Sequence, residues 1–233
     1  MLPSPSAYAA RARYLPFAFF MAFIGIDEVL RHLAEQGLFT LSATTLYYSY
    51  PIKTLAVAAL LFHYRKQYTE LSLKDLANYR STIASCLLGL LVFILWINMD
   101  WSFSGTGSPQ GFNPTLFPNL SLQLGMTAFR IAGAVLLVPL MEELFWRSFL
   151  IRYIIDNDFE KQPLGSFTWA SFMITVILFG LEHHFILAGI TAGVLYSLLL
   201  YRTRSIAQCI LSHAVTNLAL AIYVLYTDKW YFW

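Results

Sequence analysis

Residues 126–155 read MTAFRIAGAVLLVPLMEELFWRSFLIRYII, an apolar run that holds Glu142, Glu143 and Arg147 well inside it. A hydrocarbon core about 30 Å thick takes about 20 apolar residues to cross as a helix, so this run is long enough to span. An ionisable residue in such a span costs roughly 2.5 kcal/mol or more on insertion scales, and is therefore read as a functional residue with a nameable partner.

Composition agrees with a membrane setting. Of 233 residues, 58% are hydrophobic and 12% charged, and mean hydropathy is +0.59. Soluble domains carry about 25% charged residues. A formal charge of +2 without a basic stripe excludes a nucleic-acid partner. Cys86 and Cys209 sit in separate apolar segments outside any CxxC pattern, which suggests neither a disulfide framework nor a zinc ribbon. The fold class expected is an all-α polytopic bundle. Apolar windows fall near 15–34, 46–64, 82–101, 126–155, 167–185, 187–201 and 205–226, which makes about seven spans, or eight with one more crossing.

The first window follows Arg11 and Arg13 but lacks a small-residue cleavage site, so it reads as an uncleaved first helix. Asp27, Glu28, Arg31 and Glu35 load its second half, with Asp27 and Arg31 spaced to neutralise each other. No fixed-period repeat is visible. A Gly/Pro/Asn/Ser-rich loop over residues 102–119 separates N-terminal helices (1–120) from C-terminal ones (121–226) within a single membrane domain. Arg11, Arg13, Arg65, Lys66, Lys74, Arg80, Arg147, Arg152, Lys161, Arg202 and Arg204 fall on one side or on helix ends approaching it, and Arg31 and Lys229 on the other. The N-terminus is thus expected on the cytoplasmic face of the cell membrane, with loop 102–119 outside.

Successive helical residues are rotated by about 100°, so Glu142 and Glu143 cannot serve one partner. Glu143 and Arg147 stand at i,i+4 in the favoured order, which makes Arg147 the counter-ion of Glu143. Glu142 is left as a free carboxylate suited to general-base work. Two further polar sets follow: Phe179 and His183 flanking Gly180, and His213 with Asn217 at i,i+4, extended upstream by Cys209. Counted from a turn at 156–166, Glu142 and His183 lie roughly 20 and 24 Å deep at 1.5 Å per residue, and His213 and Asn217 roughly 12 and 18 Å along the last span. Four polar side chains from three helices therefore converge near mid-membrane.

The order EExxxR, FxxxH, HxxxN resembles the CAAX protease and bacteriocin-processing family of Ras-converting-type endopeptidases, over about residues 121–226. The chain is also similar to the CAAX-protease-related branch found beside exosortases. The resemblance implies an intramembrane endopeptidase in which Glu142 and His183 activate water, His213 and Asn217 stabilise the oxyanion, and Glu143 and Arg147 support the site. It implies a peptide or protein substrate with a membrane-associated C-terminus, prenylated or otherwise lipid-anchored, in contact with membrane lipids. No cofactor is expected; zinc is the rival reading, since carboxylate and imidazole suit it, although HExxH is absent and asparagine is a poor ligand. A non-catalytic immunity or scaffold protein and an ion-coupled transporter are the alternatives, but every motif position is filled and no repeat symmetry is visible.

Overall fold

The computed structural model describes residues 5–42, 44–101 and 111–233. These form seven helices and no strand: α1 (Pro5–Glu35), α2 (Ser49–Tyr64), α3 (Tyr79–Ile97), α4 (Leu120–Ile155), α5 (Trp169–Leu181), α6 (Ile186–Thr203) and α7 (Ile206–Thr227). Four of them, α3, α4, α6 and α7, are long and apolar enough to cross a membrane. The expected loop positions Gly105, Gly107 and Pro109 lie outside the described residues.

Helix starts follow the capping chemistry of short polar side chains. Asn78 accepts from Ser81 N ahead of α3, Asn119 from Leu122 N ahead of α4, and Ser205 from Gln208 N ahead of α7. Thr168 and Ser171 form a reciprocal capping box at α5. Arg204 and Asp228 close α6 and α7 in the left-handed region, at φ 52° and 55°. Pro16 and Pro139 are carried inside α1 and α4. In α4, π-helical turns at Gly133–Leu137 and Leu144–Leu150 flank the Glu142–Glu143 pair. Such wide turns concentrate at functional sites because they re-aim the side chains beyond them.

The span of α5 is shorter than its sequence window indicates. Helix α5 has 13 residues, about 20 Å at 1.5 Å per residue, and it stops at Leu181, before His183. Residues 182–185 form a turn, and α6 starts at Ile186. Such a turn at membrane depth is tolerated where protein surrounds it. The hairpin is tight because Gly180 faces α6: a Cβ there would meet the Ile190 side chain and stand 3.0 Å from Ile186 O. Helices α3 and α7 approach similarly at Gly89, whose carbonyl accepts from Thr216 Oγ1 at 2.8 Å, and Ser85 donates to Gln208 at 2.7 Å.

A buried ionic latch closes one end. Arg13, 1% exposed, donates to both Glu70 oxygens at 2.8 and 2.5 Å and to the carbonyls of Ala9 and Gln67. Ser148 also donates to Glu70, and Arg152 bonds Ser148 Oγ at 2.8 Å and lies 3.7 Å from Glu70. This fork-to-fork pairing ties α1, the α2–α3 connection and α4 together.

Candidate active site

The polar set is built from α4, the α5–α6 turn and α7. Glu143 and Arg147 are fully buried and paired at 3.2 Å. Arg147, counted above toward a basic helix end, lies in the interior, its guanidinium 4.2 Å from the Phe179 ring centroid and 5.4 Å from that of Tyr196. The same Glu143 oxygen accepts from His213 Nδ1 at 2.9 Å. His213 stacks on Tyr196 at 5.0 Å, and Tyr196 donates to Thr216 at 2.7 Å. Glu143 thus holds a cation and an imidazole at once and orients both.

Glu142 points elsewhere, as its rotation requires. Its Oε2 stands 4.0 Å from His213 Nε2 and is buried without a hydrogen-bond partner. His183 Nδ1 faces the Phe179 carbonyl at 2.7 Å. A carbonyl only accepts, so Nδ1 carries the proton and neutral His183 keeps a lone pair on Nε2. The same logic leaves Nε2 of neutral His213 without a proton, so His213 donates from that nitrogen only as imidazolium. Asn217 gives one amide hydrogen to Ala134 O, at 2.8 Å, in the first π turn of α4.

Glu142, His183, His213 and Asn217 line one cavity of about 240 Å³. Sequence reading missed several neighbours. In sequence Glu182 is only the residue beside His183, yet it accepts from Trp146 Nε1 at 3.1 Å, and its other oxygen is buried and unpartnered. Phe20 and Lys53, from helices that carry no legible motif, also reach the cavity. Asp27 pairs with Lys53 at 3.8 Å and accepts from Ser49 at 3.0 Å, while Arg31 lies 3.9 Å from Glu28.

One set could hold a metal: single atoms of Glu142, Glu182 and His183 lie within 4.8 Å of one another. Tetrahedral zinc with bonds of about 2.0–2.1 Å places its ligand atoms roughly 3.4 Å apart. The set is looser than that and would have to contract around an ion.

Residues 124–219 match the family model described as Rce1-like, the type II CAAX prenyl endopeptidases. That stretch, under half of the chain, is similar to an Rce1-like domain. The match runs from the second turn of α4 into α7, taking in Glu142, Glu143, Arg147, His183, His213 and Asn217 and leaving out α1–α3. It supports CAAX-type endopeptidase chemistry in general, and with the apolar helices it makes this a membrane protein whose substrate is a peptide or protein. No curated protein and no solved structure gives a significant match.

Proposed function

We propose that this chain is an intramembrane endopeptidase that cleaves a membrane-associated C-terminal peptide with a water activated by Glu142 and His183. The observation that carries the reading is the division of labour around one cavity: Glu143 is committed to Arg147 and His213, whereas Glu142 Oε2 has no hydrogen-bond partner among the described residues and the tautomer of neutral His183 leaves a lone pair on Nε2. A buried polar atom calls for a water, and a water held by these two groups is held by bases.

The water oxygen attacks the scissile carbonyl carbon as Glu142 takes its proton. The carbonyl oxygen becomes an oxyanion facing His213 Nε2–H and the second amide hydrogen of Asn217. Donors fixed in a site poor in water stabilise such charge strongly, because they need no reorganisation as it develops. The tetrahedral species collapses by breaking the C–N bond. Glu142 returns the proton to the departing amine, and His183 keeps the water and then the amine in line. Arg147 balances the charge of Glu143 throughout and touches no reacting atom.

Lipid anchoring would hold the substrate tail at the membrane. The test is cleavage of quenched fluorogenic peptides, prenylated and unprenylated, by protein purified in detergent, with wild type and Glu142→Gln run with and without a strong zinc chelator. Cleavage that survives chelation and vanishes in Glu142→Gln is the expected result. Loss on chelation with recovery on zinc addition would instead favour the second reading, a metal held by Glu142, Glu182 and His183.

A further inference from the structure

The cavity does not end at Glu142. Its lining continues to Lys53 of α2 and Arg130 of α4, so one space joins a set of bases to a pair of cations. The cations differ. Lys53 is answered by Asp27 at 3.8 Å. Arg130 has no ion pair or side-chain hydrogen bond to any described residue; its guanidinium rests between the rings of Tyr50 (4.7 Å) and Phe112 (5.7 Å), and its Nε is buried without a partner. Arg31, the next nearest cation, stands beside Glu28. Among these side chains, one positive charge at this end of the cavity is left in excess. A guanidinium does not deprotonate to escape that situation, so the charge persists until an anion meets it.

We propose that Arg130, assisted by Lys53, binds the free C-terminal carboxylate of the substrate, so that the site measures cleavage from the chain end. This rests on the endopeptidase reading above. A planar guanidinium presents two parallel donors that match a carboxylate, and the aromatic rings fix its plane. The spacing fits a short tail. Arg130 precedes Glu142 by three turns of α4, roughly 18 Å, which an extended peptide covers in about five residues at ~3.3 Å each, and in fewer once the two side chains' reach is taken off. Lys53, Tyr50 and Phe112 lie outside the family-matched segment, so α2 and the segment before α4 would set where this chain cuts.

The experiment compares two peptides identical except for a free acid or a carboxamide at the C-terminus. Wild type should cleave the acid with a kcat/KM at least about tenfold higher, most of it in KM, and Arg130→Gln should bring the ratio near one. Arg130→Lys, which keeps the charge but not the fork, should fall between, with thermal midpoints checking that both variants fold. Equal cleavage by wild type, or a preference that survives Arg130→Gln, overturns the proposal. A binding arm separates it from the peptidase reading: tryptophan fluorescence of Glu142→Gln protein is titrated with an N-acylated tripeptide acid and its amide, Trp96 and Trp233 lining the cavity. Acid-selective binding that Arg130→Gln abolishes upholds the carboxylate site even if no peptide is cut. Equal binding of acid and amide, or displacement of the acid by phosphatidylglycerol nanodiscs but not by phosphatidylcholine ones, overturns it, the latter by assigning Arg130 to a lipid phosphate.

Discussion

Replacing Arg147 with alanine leaves Glu143, with no exposed surface, as a carboxylate without its cation. Removing one member of a buried ion pair costs about 3–5 kcal/mol, because the remaining charge stays desolvated. The guanidinium's contacts with Phe179 and Tyr196, at 4.2 and 5.4 Å, go as well. For a chain of this size about 1 kcal/mol corresponds to 2–4 °C, so the thermal midpoint should fall by roughly 6–20 °C. Removing both charges together is a different perturbation: swapping a buried pair for apolar or neutral groups of similar volume is often neutral or stabilising. The double variant Glu143→Gln with Arg147→Met should therefore regain most of the lost midpoint. It should not regain activity, because a neutral amide then replaces the carboxylate that accepts from His213 Nδ1 and fixes the ring toward the oxyanion. Thermal unfolding in detergent and peptide cleavage, read on the same preparations, separate these effects. A midpoint unchanged in Arg147→Ala, or no recovery in the double variant, would refute the assignment of Arg147 as counter-ion; full activity in the double variant would refute the orienting role of Glu143.

Other outcomes follow from the same geometry. His183→Ala should abolish turnover without lowering the midpoint as Arg147→Ala does, whereas Asn217→Ala, which removes one oxyanion donor, should lower kcat by roughly 10²-fold with KM little changed; steady-state kinetics on folded protein decides both. Acid should loosen the latch through Glu70: burial pushes its carboxyl up, but hydrogen bonding and charge from Arg13, with help from Ser148, outweigh this and hold it below the usual carboxylate range. A lowered folded value means that its stabilisation is complete above the unfolded value, about 4.3, and is lost as pH falls through the folded one. Thermal midpoints taken from pH 7 to pH 3 should drop less steeply in Glu70→Gln than in wild type, and parallel curves would remove Glu70 from the acid response.

The helices were legible because hydrophobic runs of bilayer length leave few alternatives, and the i,i+4 pairing of Glu143 with Arg147 follows from helical rotation alone. Helix α5 was overrun because hydropathy does not register a helix end inside apolar sequence; Phe179 through Leu181 continues into Glu182 and His183 with no proline to mark the stop. The tautomer of His183 was out of reach for the same reason, since its partner is a backbone carbonyl freed where the helix ends. The reach of Lys53 and Arg130 into the cavity is a tertiary fact: in sequence they are isolated cations within spans, and only the packing of α2 against α4 makes them line the same space as Glu142.

The position of the latch bears on the side from which substrate enters. Arg13, Glu70 and Arg152 seal the bundle at the end where Arg65, Lys66, Lys74, Lys161, Arg202 and Arg204 also lie, and none of these residues lines the cavity. The cavity lining instead runs toward Lys53, Arg130 and Trp233 at the opposite end. Basic connections remain on the cytoplasmic side, so the cavity should open away from the cytoplasm and admit the tail of an exported, membrane-held protein. Sealed vesicles of the two orientations give the test: a membrane-impermeant peptide should be cleaved by right-side-out vesicles and spared by inverted ones until detergent is added. Cleavage by the inverted vesicles alone would reverse the orientation and leave a cytoplasmic tail as the substrate, with the internal geometry of the site untouched.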